Sequence, residues 1–88
     1  MDNSIQSYRD LIVWQKSVDF AETIYRITND WPKHELYGLT NQVRRSSVSV
    51  SSNIAEGQAR QHTKEFKQFL YIALGSIAEA HTQLIIAR

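Results

Sequence analysis

Histidine and carboxylate side chains are the groups in this sequence that would hold a catalytic metal if their spacing allowed it. A helical zinc site needs a second histidine four residues after the first, and His34-Glu35 is followed at that distance by Gly38. A di-metal site in a helical bundle needs Glu-x-x-His pairs, but Glu79 is followed three residues later by Thr82. The sequence therefore predicts neither a metal nor another cofactor.

The stretch from Ser46 to Gly57 is the most distinctive part of the chain, because its first seven residues include five serines. A serine nucleophile would need a neighbouring base and an oxyanion hole. The sequence points to neither, so we expect no enzyme. The small side chains fit close helix packing, a kink near Asn53, or an exposed binding face. Close packing is favoured, because the apolar row of the flanking segments stays in phase across the stretch.

Positive charge gathers around the same stretch. The whole chain has a net charge of +1, whereas residues 44–67 carry +3 because five basic residues stand against two acidic ones. The basic residues are Arg44, Arg45, Arg60, Lys64 and Lys67. Such a cluster can contact the phosphates of RNA or DNA. The alternative is an ordinary solvated helix end.

These residues must be positioned by helices. Apolar residues recur in steps of three and four over about 10–29, 35–56 and 64–88, which predicts three helices packed up-down-up. Trp31-Pro32 ends the first helix, because the residue before a proline disfavours the helical conformation.

The second helix competes with a strand, since serine and valine alternate from Ser46 to Ser52. Leu39 and Val43 before this segment, and Ile54 after it, keep the helical phase, and no second convincing strand is available for pairing. We therefore predict a helix. Gly57 is expected to end it in a left-handed capping conformation.

The third helix has the most regular apolar pattern, a heptad seam that runs to the last residues. Gly75 interrupts it and indicates either a close approach of another helix or a tolerated surface glycine. The apolar pattern at Leu84 to Ala87 has no helix-ending residue after it. We expect this end to be covered by oligomerisation or by a further carboxy-terminal helix.

Length and composition set the remaining expectations. Eighty-eight residues without cysteine form one domain, at residues 8–88, after a disordered segment at residues 1–7. The amino terminus has no secretory signal pattern, and no uninterrupted apolar run reaches the roughly 18 residues of a membrane span. We expect a cytoplasmic protein without a membrane partner.

A series of short sequence blocks spans about residues 8 to 88. They are Leu11-x-x-Trp14-Gln15-Lys16, Trp31-Pro32, Tyr37-Gly38-Leu39-Thr40-x-Gln42-x-Arg44-Arg45, Asn53-Ile54-Ala55-Glu56-Gly57, Arg60, Lys64-Glu65-Phe66, Phe69-Leu70 and Gly75-Ser76. In order and spacing they closely resemble the bacterial four-helix bundle proteins of the 23S rRNA intervening-sequence family. Arg44, Arg45 and Arg60 match basic positions of that family.

The resemblance implies an all-α fold, an antiparallel up-down bundle in which this chain supplies three of the family's four helices. It also implies a homopentamer. The family is similar to the accessory proteins of diversity-generating retroelements, which implies nucleic acid and a reverse transcriptase as candidate partners. The chain departs from the family pattern in ending where the fourth helix would begin, and in its low net charge.

Two functions follow as hypotheses. The first is a non-enzymatic, oligomeric helical protein that contacts RNA or DNA through the five basic residues. The second is a purely structural or protein-binding module without nucleic-acid binding, in which the arginines form ion pairs between subunits and the small residues let helices approach. The directions in which the arginines point discriminate between the two.

Overall fold

The computed structural model describes residues 7–88. This part of the chain contains three helices and no strand: α1 (Ile12–Thr28), α2 (Leu39–Ala59) and α3 (Thr63–Ala87). The predicted all-α fold is confirmed. Of the segment predicted to be disordered, residues 1–6 lie outside the described residues, whereas Ser7 takes part in a helix cap.

A short 3-10 turn, Tyr8–Asp10, leads into α1. Ser7 Oγ accepts a hydrogen bond from the Arg9 amide at 3.2 Å, and Asp10 Oδ2 accepts one from the Ser7 amide at 3.1 Å. The Tyr8 ring lies edge-on to Trp14, with 5.2 Å between ring centroids. The reciprocal capping bonds and the aromatic contact together fix the direction in which the chain enters α1.

The bounds of α2 differ from the predicted ones at both ends. The chain after Pro32 forms a second 3-10 turn, Lys33–Glu35, so α2 begins at Leu39 rather than near residue 35. At the other end α2 continues past Gly57, which has no positive φ. The left-handed residue of the α2–α3 connection is Gln61, with a φ of 61°. The prediction that Gly57 ends the helix is therefore wrong.

Gly57 instead permits a close approach of α3. A Cβ atom built on Gly57 would lie 2.6 Å from the Cβ of Phe69 and 3.1 Å from Cδ1 of Phe66. The first distance is shorter than two carbon atoms tolerate and the second is unusually tight. The absence of a side chain on Gly57 therefore sets the spacing of the two helices. Gly75 behaves differently, because nothing lies within 4 Å of its built Cβ. Within residues 7–88, Gly75 is a surface glycine.

Helix α2 lies in the centre, since α1 and α3 both pack against it while their own backbones do not approach within 8 Å of each other. Two buried clusters result. One contains Ile24, Val43 and Ala80, with Phe20, Trp31 and Leu84 packed around it; the other contains Val50, Ile54 and Ala73, with Leu11, Trp14 and Leu70. Each cluster takes residues from α2 and from at least one neighbouring helix.

Ser46 and Ser49 lie at the contact of α2 with α3, Ser47 is fully buried, and the strand alternative is wrong. Towards α3, Ser46 Oγ donates to Gln83 Oε1 at 3.0 Å, and Ser76 Oγ donates to Ser49 Oγ at 2.9 Å. On the other side of α2, the fully buried Ser47 donates to the backbone oxygen of Arg44 at 2.8 Å. The hydroxyls are thus satisfied while their small size keeps the helices close.

An apolar groove remains open between α1 and α3. Two adjoining cavities of about 420 and 300 Å³ share Val13, Ile54 and Ile77 as lining residues. The radius of gyration is 14.6 Å, compared with about 12 Å for a compact domain of this length. Three helices in this arrangement leave much apolar surface in water.

Two buried threonines allow a test of the polar contacts in the core. The Oγ1 of Thr40 is buried without a hydrogen-bond partner, so Thr40→Val should raise the free energy of unfolding by about 1 kcal/mol. Thr28 is equally buried, but its hydroxyl donates to the Ile24 carbonyl and accepts from Arg44. Thr28→Val should lower the free energy of unfolding by about 1 to 3 kcal/mol. Urea unfolding measures both; a stabilised Thr28→Val would contradict this account.

The two helical glycines make a second matched pair. Gly57→Ala should destabilise the fold by about 1 to 3 kcal/mol, because the new methyl group overlaps Phe69. Gly75→Ala meets no atom and should stabilise α3 by about 1 kcal/mol through helix propensity alone. Thermal unfolding followed by circular dichroism compares them. If both substitutions shift the unfolding temperature in the same direction by similar amounts, Gly57 does not set the helix spacing.

Candidate nucleic-acid and assembly surfaces

Arg44 joins α1 to α2. Its Nε donates a hydrogen bond of 2.8 Å to Oγ1 of the buried Thr28, and its guanidinium carbon lies 4.7 Å from the centre of the Tyr25 ring. Both contacts use the planar guanidinium, whose flat face and fixed set of donors a lysine ammonium lacks. Arg44 therefore holds two helices of one chain together, through contacts that are not the ion pairs between subunits of the protein-binding hypothesis.

Arg60 is paired within the α2–α3 hairpin. It contacts Glu56 at 2.9 Å and Glu65 at 3.4 Å, and its guanidinium lies 5.3 Å from the centre of the Phe69 ring. The pKa of Arg60 is raised above its ordinary value, first by the hydrogen bond to Glu56 and then by the negative charge of both carboxylates. The group is exposed, so these pairs contribute little stability. They do neutralise the charge that a phosphate would meet.

The other three basic residues are exposed and have no ion pair within residues 7–88. Lys64 lies in the first turn of α3. Lys67 borders the apolar groove. Arg45 lines a polar cleft between α2 and α3. These three side chains are the cations available to an external ligand.

The five basic residues do not form one patch. Arg45 and Arg60 are fifteen positions apart on α2, which corresponds to about 22 Å along the helix axis. Arg44 faces α1 and Arg45 faces the α3 side, because adjacent helical residues point about 100° apart. Arg60, Lys64 and Lys67 share the hairpin end, where Arg60 pairs with Glu65 while Lys67 borders the apolar groove.

The hairpin end also carries polar groups and a small cavity. Gln61 and His62 are exposed there, and a cavity of about 200 Å³ lies beside them, lined by Leu11, Gly57, Gln58, Gln61, His62, Thr63 and Phe66. With the lysines nearby, this end can offer cations and hydrogen-bond donors to phosphate oxygens. In the described part of the chain no three histidine or acidic residues come together as metal ligands.

Helix α3 exposes an unusual amount of apolar surface. The exposed fraction is 73% for Tyr71, 60% for Leu74 and 68% for Ile86. By length and composition alone α3 could cross a membrane, with a mean hydropathy of 1.3, and only 17% of its most apolar window is buried. One such helix is weak evidence for a span. The regular sequence pattern predicted the helix, but gave no sign that more than one of its sides would be left uncovered.

The polar cleft that contains Arg45 was not predicted. Its volume is about 350 Å³, and Gln42, Arg45, Ser46, Ser49, Glu79 and Gln83 line it. Glu79 has no ion pair within residues 7–88 either. The heptad spacing of Gln42 and Ser49 with Arg45 between them is the sequence signal that they share a helix face. Only the register of α3 against α2 reveals that Glu79 shares the cleft.

A family model described as 23S rRNA-intervening sequence protein matches residues 9–88. No curated protein matches the chain.

Adjacent arginines with different surroundings provide a test of these assignments. Arg44→Ala should lower the free energy of unfolding by about 1 to 3 kcal/mol, because Thr28 and Tyr25 lose their partner. Arg45→Ala removes the same charge from an exposed position and should change stability by no more than about 0.5 kcal/mol. Urea unfolding of both variants measures the difference. Equal losses would mean that Arg44 does not join the helices.

Proposed function

Since the chain belongs to the 23S rRNA-intervening sequence protein family, we propose that it is a non-enzymatic helical protein that acts by assembling with copies of itself in the cytoplasm. The observation that carries the proposal is the exposed apolar surface of α3. Tyr71, Leu74 and Ile86 each leave most of their side chain in water. Tyr71 and Leu74 adjoin along the groove between α1 and α3, and a contiguous apolar surface of this kind marks an interaction site.

A protein partner suits this surface better than a lipid bilayer does. Glu79 is exposed near the middle of α3, and His81 lies two residues on. A charged side chain at the centre of a bilayer costs about 3 kcal/mol or more. In an interface between protein chains, the same carboxylate can face a cation while the neighbouring isoleucines lose water. The proposal therefore places α3 at a protein contact.

The stoichiometry of the intact protein tests the assembly. Native mass spectrometry and light scattering at micromolar concentration should both give a mass several times that of one chain. A pentamer, which the family resemblance implies, would give five times. A monomer that unfolds cooperatively and shows no dependence of stability on concentration would overturn the proposal.

Contact with RNA or DNA is the second candidate function. It is favoured by Lys64 and Lys67, two cations without an ion pair at the hairpin end. Gln61 and His62 are exposed beside them. Phosphate contacts of this kind position a protein on a nucleic acid without selecting its sequence. Because Arg44 and Arg60 have partners within the chain, we assign the contact to the two lysines.

A double substitution tests this contact. Lys64→Ala combined with Lys67→Ala should weaken binding of a 20-nucleotide RNA and reduce the slope of log K against log salt by about 1.5. Fluorescence anisotropy between about 50 and 200 mM KCl measures both quantities. Arg26→Ala combined with Lys33→Ala is the control, since it removes the same charge at the opposite end of the molecule. If the unmodified protein binds no RNA at low salt, the nucleic-acid function is contradicted and only the assembly function remains.

A further inference from the structure

One row of exposed residues runs along α3 on a side that does not line the apolar groove. Ile72, Gly75, Glu79, Thr82 and Ile86 follow one another in steps of three and four and are all exposed. We call them the α3 row; none of them lines the groove. Gly75 has open space beside it, which keeps the middle of the row low. The row therefore presents two isoleucines and one carboxylate on a surface that another chain can approach closely.

The apolar groove between α1 and α3 carries cations at its border. Lys16 lies between Val13 and Phe20, which line the groove from α1. Lys67 borders the groove at its hairpin end, and the exposed Leu74 lines it from α3. Neither lysine has an ion pair within residues 7–88. The groove thus offers apolar contact along its length and a cation, Lys16, beside its α1 wall.

We infer that copies of the chain assemble by placing the α3 row of one copy in the groove of the next, where Glu79 pairs with the partner subunit's Lys16. The inference rests on the proposed self-assembly and names the two surfaces that meet. Ile72 and Ile86 lose water against the apolar lining of the groove, to which the exposed Leu74 belongs. Glu79 has no ion pair within its own described chain, so the contact gives opposite charges to each other.

The two surfaces are different patches of one chain, so the contact is heterologous. Each copy receives one neighbour in its groove and presents its α3 row to another. Contacts of this kind repeat in one direction and close into a ring when the rotation between copies divides a full turn. The arrangement is therefore compatible with the pentamer that the family resemblance implies, whereas a two-fold contact alone stops at a dimer.

Pairing of two grooves is opposed by charge. Two copies meeting groove to groove would bring together two copies each of Lys16 and Lys67. These four ammonium groups repel each other. The groove therefore requires a partner surface that carries negative charge.

The outer side of α1 carries negative charge but little apolar surface. Its exposed residues in steps of three and four are Ile12, Gln15, Asp19, Glu22 and Arg26. Ile12 is the one large apolar side chain among them, so this side of α1 would leave the lining of the groove without an apolar partner. The α3 row combines both properties and is the occupant to which the inference commits.

Two adjacent residues of α3 test the inference, because one lies on each surface. Leu74→Arg places a charge in the groove, and Gly75→Arg places the same side chain in the middle of the row, where the single chain has room for it. Each variant alone should lose self-association about a hundredfold or more, because the contact would bury an unpaired charge. An equimolar mixture should form a dimer and nothing larger, since the intact groove of Gly75→Arg accepts the intact row of Leu74→Arg. Native mass spectrometry identifies the mixed dimer, because the two variants differ in mass.

Charge reversal tests the ion pair at exposed positions, and decides the case if Leu74→Arg does not fold. Glu79→Lys and Lys16→Glu should each weaken self-association about tenfold or more, because each places like charges opposite each other. The double variant should recover most of the lost association. Glu22→Lys, the same charge change on the outer side of α1, should leave it unchanged. Sedimentation velocity over a dilution series measures the association, and circular dichroism checks that each variant keeps its helices.

The outcomes separate this inference from the assembly proposal. Oligomers that tolerate Gly75→Arg do not use the α3 row, and oligomers that tolerate Leu74→Arg do not use the groove; either result would overturn the inference and leave the assembly proposal standing. A mixture of the two folded variants that stays monomeric, or a double charge variant without recovery, would do the same. A monomeric unmodified protein would overturn the assembly proposal itself, and the inference with it.

Discussion

Close contact between α2 and its two neighbours is the constraint on which the rest of this structure depends. The helix has small residues where it packs: Ser47 is fully buried, and Ser46, Ser49 and Gly57 lie towards α3. Each serine costs roughly half a kcal/mol of helix propensity relative to alanine. The helices can then approach closely enough for Val43, Val50 and Ile54 to be almost completely buried. Packing therefore explains Ser46, Ser47 and Ser49, whose hydroxyls bind within the bundle.

The same arrangement explains why so much apolar surface stays exposed. A central helix with one neighbour on each side forms a layer, and a layer has two open faces, whereas a closed four-helix bundle buries the inner side of every helix. The groove between α1 and α3 lies on one face, with Val50 and Ile54 as its floor. On the other face the helix contact is polar and contains the cleft with Arg45 and Glu79. The two faces thus differ in chemistry and should accept different partners.

The number and type of the helices could be predicted from the sequence, because apolar residues in steps of three and four report one buried side of a helix directly. The role of Gly57 could not be predicted in the same way. A glycine near a helix end suits a left-handed cap, and only the position of Phe69 on another helix shows that Gly57 faces a close neighbour instead. Gly75 has no such neighbour within residues 7–88. Both outcomes depend on tertiary contacts, which a local pattern does not contain.

The basic cluster shows a second limit of prediction from sequence, since side chains that are close along the chain can point in different directions. Arg44 and Arg45 are adjacent, yet Arg44 is bound between α1 and α2 while Arg45 is exposed beside α3. Arg60 is matched by Glu56 and Glu65. The three residues of the cluster without an ion pair lie towards opposite ends of α2. Arg45 lies towards its beginning, and Lys64 and Lys67 lie at the hairpin. Assembly would place several hairpin ends on one particle, which raises the effective concentration of their lysines for a single nucleic-acid strand. A chain with a net charge of only +1 could then bind nucleic acid as an oligomer even if each copy alone binds weakly.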